Sequence, residues 1–341
     1  MSDEYEKAFD LRYLKFIYLL TGIVLLLVVL SSVSLSEVWS HARQIGWGIA
    51  VVFGLFMVAF VLDAYSWQLT LTTLPMNLTW LYRMWKVRMA GEVFNMVVPA
   101  ATMGGEPLKA MLLKTHYGVD YHESIASLVL ARTINLIGLI LFLVVGFYFM
   151  LSNEDVPVST KVMAGVGLAV LTVATGLFFC VQRWQWFSIA GTRISQWKIG
   201  TFLAQALEHI KAVDQRFVRF YSRHGKRLAG ATALALFNWI IGIFEIYYTM
   251  IFLGHPISLS EAWMIEATAQ LVRAGTFLIP ASIGAQEGAF MLIYTAVTGS
   301  PELGIAVAMT RRFREILWLT WGALVGLRFS MRSKPSTLAG P

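Results

Sequence analysis

The sequence predicts an all-α polytopic membrane protein: about six full transmembrane helices plus two re-entrant broken-helix hairpins, arranged as inverted repeats within a single transmembrane domain, residues 1–341. Three observations carry the prediction. Hydrophobic residues make up 57% of the chain and charged residues only 14%, against roughly 25% charged in a soluble domain. Six apolar runs are long enough to cross the hydrocarbon core. Two further apolar segments are broken by proline and glycine, and they match each other.

The first run, Leu14 to Leu35, would be about 33 Å long as a helix, enough to span. With no small-residue cleavage site behind it, it reads as an anchor and not a removed signal peptide. Trp47 to Trp67 is the second span. The segment Asn77 to Lys114 then contains VVPAATMGGEPLKAMLL (97–113). Pro99, Gly104 and Gly105 break a helix there and leave backbone groups that lipid cannot satisfy. Gly104 and Gly105 are expected to supply positive backbone dihedrals for a turn inside the membrane.

Glu123 to Met150 and Lys161 to Gln182 are the third and fourth spans. Arg183 to Arg227 follows, with nine Lys or Arg against only Glu208 and Asp214 as acids. Ile199, Phe202, Leu203, Leu207, Ile210, Val213, Phe217 and Phe220 recur at helical spacing, with bases on the other face. Residues 183–227 therefore read as a cytoplasmic, basic, amphipathic connector lying on the inner leaflet. Leu228 to Leu253 is the fifth span. Ser258 to Gly299, interrupted by Pro280 and Gly284, is the second broken segment, and Glu302 to Phe329 is the sixth span. The single cysteine, Cys180, excludes an internal disulfide and a Cys-based metal site.

The broken segments belong to an internal duplication. PMNLTWLYRMWKVRMAGEVFNMVVPA, from Pro75, and PISLSEAWMIEATAQLVRAGTFLIPA, from Pro256, both run 26 residues to a Pro-Ala pair at a constant offset of 181. After a one-residue gap, Gly104 falls on Gly284, Met111 and Leu112 on Met291 and Leu292, and Arg132 on Arg312. The repeats are residues 47–150 and 228–329. The basic connector and the amino terminus (Lys7, Arg12, Lys15) both belong in the cytoplasm. That holds only if each broken segment enters and leaves on one side. The first hairpin then opens to the cytoplasm with Arg83, Lys86, Arg88, Lys109 and Lys114. The second opens outward with Arg273, Glu261, Glu266 and Glu287, so the repeats are inverted.

Inverted repeats with broken helices near the midplane are the architecture of alternating-access transporters. An unpaired charge at mid-bilayer costs on the order of 3 kcal/mol or more, so each one needs a reason. Glu92 and Asn95 sit three apart on one helix face, Arg132 and Asn135 repeat the spacing, and so do Arg312 and Glu315. Around them lie Gly104, Gly105, Glu106, Lys109, Arg273, Gln286 and Glu287. These thirteen residues are read as one shared polar cavity that binds substrate. The competing reading makes them internal ion pairs fixing helix register, with Arg311 and Glu315 an i, i+4 pair. Asp63, Asn238 and Glu245 stay open between the two. A surplus of arginines in the cavity would suit a phosphate headgroup, which makes the expected ligand an anionic lipid.

No GxxxxGK[ST], HExxH or GxSxG motif is present, and the six histidines are dispersed, so no cofactor, metal or catalytic residue and no nucleic-acid partner is expected. The reading is a lipid translocator moving an anionic phospholipid or an isoprenoid-type lipid between leaflets. The alternatives are an intramembrane lipid-modifying enzyme with Glu106 or Glu287 as base, and a non-catalytic partner of a lipid-synthesis enzyme. A homo-oligomer is left open.

At VVPAATMGGEPLKAMLL with Arg132, and at LIPASIGAQEGAFML with Arg312, the chain resembles the flippase-like domain family of lysylphosphatidylglycerol synthases, the membrane half of MprF-type proteins. The ending RRFREILWLTWGAL looks most like the subgroup associated with hopanoid biosynthesis. The resemblance implies movement of a lipid between leaflets of the bacterial cytoplasmic (inner) membrane, with both termini cytoplasmic. It also implies a polar cavity at Glu92, Asn95, Gly104, Gly105, Glu106, Arg132, Glu287 and Arg312. MprF-type synthases carry a large soluble aminoacyltransferase domain; ending at Pro341, the chain is expected to lack it and not to be an enzyme.

Overall fold

A computed structural model describes residues 43–97, 105–184, 213–276 and 285–331. Among them, nine helices have both ends defined: α1 Gly48–Thr70, α2 Leu78–Val97, α3 Glu106–Tyr117, α4 Tyr121–Ser152, α5 Val158–Arg183, α6 Gly225–Phe252, α7 Leu259–Gly275, α8 Ala285–Thr298 and α9 Pro301–Met331. Residues 213–223 are also helical. The chain is an all-α polytopic membrane protein.

Four of these helices, α1, α4, α5 and α6, are long and apolar enough to cross a membrane. They coincide with four of the six predicted spans. The first, Leu14 to Leu35, lies outside the described residues. The sixth is α9, one helix of 31 residues. It carries Arg311, Arg312, Arg314 and Glu315 in its middle, so length qualifies it and composition does not.

Local chemistry explains where the helices start and stop. Asn77 Oδ1 accepts a 2.8 Å hydrogen bond from the Trp80 backbone N–H at the start of α2. Ser258, its counterpart in the internal match, caps α7 in a reciprocal box with Glu261, as the S-x-x-E spacing prescribes. Helices α3 and α8 end beside Gly118 (φ 68°) and Gly299 (φ 74°). Left-handed backbone there stops the helix at little cost only with glycine, and α4 and α9 start within three residues.

The centre of the bundle is α1 against α6. They run antiparallel: Gly48 leaves room for the Phe252 ring at one end, and Ser66 donates to the Ala231 carbonyl at 3.0 Å near the other. The α2/α3 pair follows the end of α1 and the α7/α8 pair follows the end of α6, so the two pairs sit at opposite ends of the bundle. Each packs on the far half, α2 against α9 and α7 against α4. Gly146 on α4 admits Ala267 of α7, and Gly326 on α9 faces Ala90 of α2; small residues let membrane helices approach closely. On α5, Met163, Val166, Val170, Val173 and Leu177 are exposed, as suits a helix on the lipid-facing rim.

One expectation changes here. In the described part of the connector, Phe217 and Phe220 are buried against Ala126, Leu130 and Ile134 of α4 and Ala231 and Ala235 of α6. Tyr221 donates to Gln182 Oε1 at 2.8 Å. The apolar face assigned to the inner leaflet is covered by protein over residues 213–223, because the ends of α4, α5 and α6 offer it apolar surface. Residues 185–212 lie outside the description.

Candidate functional site

The ionisable residues of the bundle collect into two groups, one in each half. In the first, α2 carries Arg88 and Glu92 one turn apart, α3 opens with Glu106 and Lys109, α4 carries Arg132 and Asn135, and α1 supplies Asp63. Arg88 pairs with Asp63, which also accepts from Asn135 Nδ2 at 3.3 Å. Lys109 Nζ donates to Glu106 Oε1 at 2.9 Å, and its stem lies against Gly91, where any Cβ would collide with it. Arg132 stands about three turns into α4, and its side chain is exposed. It interacts electrostatically with Glu106 and Glu92, the two carboxylates that also face Arg88.

Gly105 is the N-terminal boundary of α3, with φ −85° and ψ −9°. This is ordinary right-handed backbone, so the positive dihedral expected at Gly105 is not there. Its place just before Glu106, which complements the positive end of α3, is a helix start that other residues can adopt. Gly104 and the side chain of Asn95 lie outside the described residues.

In the second group, Arg312 donates to Glu287 Oε1 at 2.8 Å and to Glu315 Oε2 at 2.9 Å. Arg273 reaches the other oxygen of Glu315 at 3.1 Å. Arg311 pairs with Glu266 and, at 3.4 Å, with Glu245, and Arg314 pairs with Glu245. Gln270 donates to Glu266 at 2.7 Å, a carboxylate for which Gly242 leaves room on α6. Arg311, Arg312, Arg314, Glu245, Glu266 and Glu315 are all buried, Arg312 to 1% exposure. Arg311 and Glu315 are not each other's partner, contrary to the i, i+4 pairing read from their spacing; Arg312 holds Glu315 instead.

The two groups meet on one aromatic layer. The Arg88 guanidinium lies 4.4 Å from the ring of Phe60 and that of Arg314 4.0 Å from the ring of Phe56. Those phenylalanines are one turn apart on α1, and both meet Trp318 edge-on, at 4.8 and 4.9 Å. Cation–π contact stabilises a guanidinium most where water is excluded.

The expected surplus of arginine is not found among these residues. Arg88, Lys109 and Arg132 stand against Asp63, Glu92 and Glu106, and Arg273, Arg311, Arg312 and Arg314 against Glu245, Glu266, Glu287 and Glu315. Each group is neutral, because a buried cation is stable only with its carboxylate. Of the thirteen residues expected in one shared cavity, the structure places Glu92, Glu106, Lys109, Arg132 and Asn135 in one half and Arg273, Glu287, Arg312 and Glu315 in the other, each set pairing within its own half. Gln286, buried nearby on α8, makes no side-chain hydrogen bond. Arg88, Glu266, Gln270 and Arg314 were missed as members. Asp63 and Glu245, left open, prove to be their partners. A lone acid on each apolar span, α1 and α6, was the available signal.

The family model described as the lysylphosphatidylglycerol synthase TM region matches residues 15–322. A UPF0104 membrane protein of Methanothermobacter thermautotrophicus is 21% identical over 315 residues, covering 87% of this chain and 89% of that protein. A UPF0104 membrane protein of Pyrococcus horikoshii is 20% identical over 241 residues, covering 65% and 69%. No solved structure matches.

Proposed function

We propose that this chain, which belongs to the lysylphosphatidylglycerol synthase transmembrane-region family, is a lipid translocator that passes a headgroup through the charged interior between its two halves. Membership makes it a lipid-related, multi-pass membrane protein. Translocation, a phosphate-bearing headgroup and the inverted repeat are our reading.

The observation that carries it is the contrast between Arg132 and Arg312, which the internal match pairs. Arg132 is exposed about three turns into α4, within the electrostatic reach of Glu106 and Glu92; Arg312 is sealed between Glu287 and Glu315. In a carrier built from inverted repeats, one repeat stands open while the other is closed, and exchanging the two states moves the opening across the membrane. The antiparallel α1/α6 pair and the hairpins at opposite ends are what such a carrier needs. By the charge rule the open half faces the cytoplasm. An arriving phosphate would compete with Glu92 and Glu106 for Arg132 through two parallel hydrogen bonds. That exchange lets a neutral cluster accept an anion without leaving a bare charge behind.

The enzyme alternative is less well served. Glu106 is ion-paired with Lys109 and Glu287 with Arg312, so each carboxylate is already engaged by a cation of its own half instead of standing ready to meet a lipid. A leaflet assay in proteoliposomes of the pure protein, with lipid masses recorded before and after, decides. Leaflet exchange at constant mass is expected. A new lipid mass would establish the enzyme instead, and neither exchange nor new mass would overturn the translocator.

A further inference from the structure

We propose that the Gln286 side chain reads the headgroup, selecting a phosphodiester lipid whose headgroup also carries a hydroxyl or ammonium donor. The inference rests on the translocator reading and adds a chemical class to it. Gln286 is 2% exposed, and neither its Oε1 nor its Nε2 has a hydrogen-bond partner. Native proteins pair almost every such group, and a buried carboxamide with two donors and an acceptor idle is costly.

Its place in the fold gives the idle amide a use. Gln286 lies in the first turn of α8, a helix of 14 residues, and the backbone N–H groups and dipole of a helix start favour an anion. The adjacent Glu287 is already committed to Arg312 at 2.8 Å. Two turns further along the same buried face, the Tyr294 hydroxyl is also without a partner. In the internal match Gln286 corresponds to Glu106, which stands at the open end of α3 and is held by Lys109. The second half thus carries a neutral amide where the first carries a carboxylate.

An amide at a helix N-terminus fits a phosphodiester through Nε2–H while Oε1 needs a donor from the ligand. A hydroxyl or ammonium headgroup supplies one. A trimethylammonium headgroup has no N–H or O–H and leaves Oε1 unpaired.

The test uses the full chain in detergent, melted with added phosphatidylglycerol, phosphatidylethanolamine or phosphatidylcholine, and then leaflet exchange of the same lipids in proteoliposomes. The first two lipids are expected to raise Tm and the third not. Gln286→Met, which removes an unpaired buried amide, is expected to melt no lower than wild type without lipid, to lose the headgroup-dependent shift, and to move the protic lipids about tenfold more slowly. Gln286→Glu keeps the acceptor and repels phosphate, so it is expected to lose phosphatidylglycerol more than phosphatidylethanolamine. Equal Tm shifts for all three lipids in wild type, or a protic preference that survives in Gln286→Met, would overturn the assignment. A headgroup-dependent shift without any leaflet exchange would support Gln286 as a headgroup reader and overturn translocation, so the two failures are distinct.

Discussion

At the scale of single residues, matched positions have taken opposite charges without losing balance. Arg273 occupies in the second half the position of Glu92 in the first, and Glu315 the position of Asn135. A cation at 273 would confront Arg312; the carboxylate of Glu315 accepts from both, at 3.1 and 2.9 Å. In the first half Arg132 feels the charge of Glu106 and Glu92, and a neutral amide suffices at Asn135, which turns to Asp63. The two arginines should therefore respond differently to removal. Arg312→Ala removes the buried cation shared by Glu287 and Glu315, leaving the buried Glu315 to Arg273, and is expected to destabilise the protein by roughly 3 kcal/mol, seen as low yield and an early melt in fluorescence-detected size exclusion. Arg132→Ala is expected to cost about 1 kcal/mol or less, as for exposed pairs, while leaflet exchange is lost. Arg132→Lys should fold and still be slow, because an ammonium cannot make the two-point phosphate contact. Full exchange in Arg132→Lys, or equal destabilisation by the two alanine variants, would return both arginines to a structural role.

At the scale of elements, the caps carry local signals that the sequence reading did not use, and breaking was half legible. Ser258 with Glu261, Asn77, and Asp120 three residues before Glu123 are short-range signals that need no tertiary information. Gly105 does not take the positive φ expected of it, whereas among the described residues Gly46, Gly118, Gly254 and Gly299 do, two of them where α3 and α8 end. The face of residues 213–223 was read as lipid-facing because an apolar stripe looks the same whether lipid or protein covers it. The ion pairs across α1, α2, α6, α7 and α9 could not be read, since partners such as Asp63 and Arg88 or Glu245 and Arg314 share no local spacing. Asp120 tests an element directly. It caps α4 through the Glu123 N–H at 3.0 Å and reaches Arg216 of the 213–223 helix at 2.9 Å. Partial burial pushes its carboxyl up, but the Glu123 N–H, Arg216 and His122 together outweigh this and hold it below the usual aspartate range. A lowered value means that the ionised cap stabilises the fold in full above the ordinary aspartate pKa and loses that contribution as pH falls through the lowered one. Asp120→Ala is expected to cost about 1 kcal/mol near neutral pH, and the difference in Tm from wild type should shrink as the pH drops through that acid window. A difference independent of pH would show that the charge is irrelevant.

At the scale of the whole molecule, the class followed from composition, a property of long stretches that can be read without knowing any contact. The sidedness of the two broken segments is a proposal that rests on charge and repetition. The α1/α6 antiparallel pair makes a geometric demand on that topology. If the α2/α3 hairpin returns to the side it came from, then α7/α8 must do the same from the other side, and the exposed residues flanking Gly118 and Gly299 must face opposite compartments. Thr115, near the end of α3, and Glu302, in the first turn of α9, are both exposed, and neither occupies a left-handed position, so cysteine is tolerated at each. In a Cys180→Ser background, Thr115→Cys is expected to react with an impermeant thiol reagent from the cytoplasmic side only, and Glu302→Cys from the outer side only, in right-side-out and inverted vesicles compared at equal protein. The charge contrast argues the same way: Lys114 and Lys109 sit on the return helix of the first hairpin, and Glu287 and Glu302 on and just after that of the second, as positive-inside sorting requires. Labelling of both cysteines from one side would make one broken segment a full crossing. It would place the 183–227 connector or the amino terminus outside and remove the inverted repeat on which alternating exposure of Arg132 and Arg312 depends.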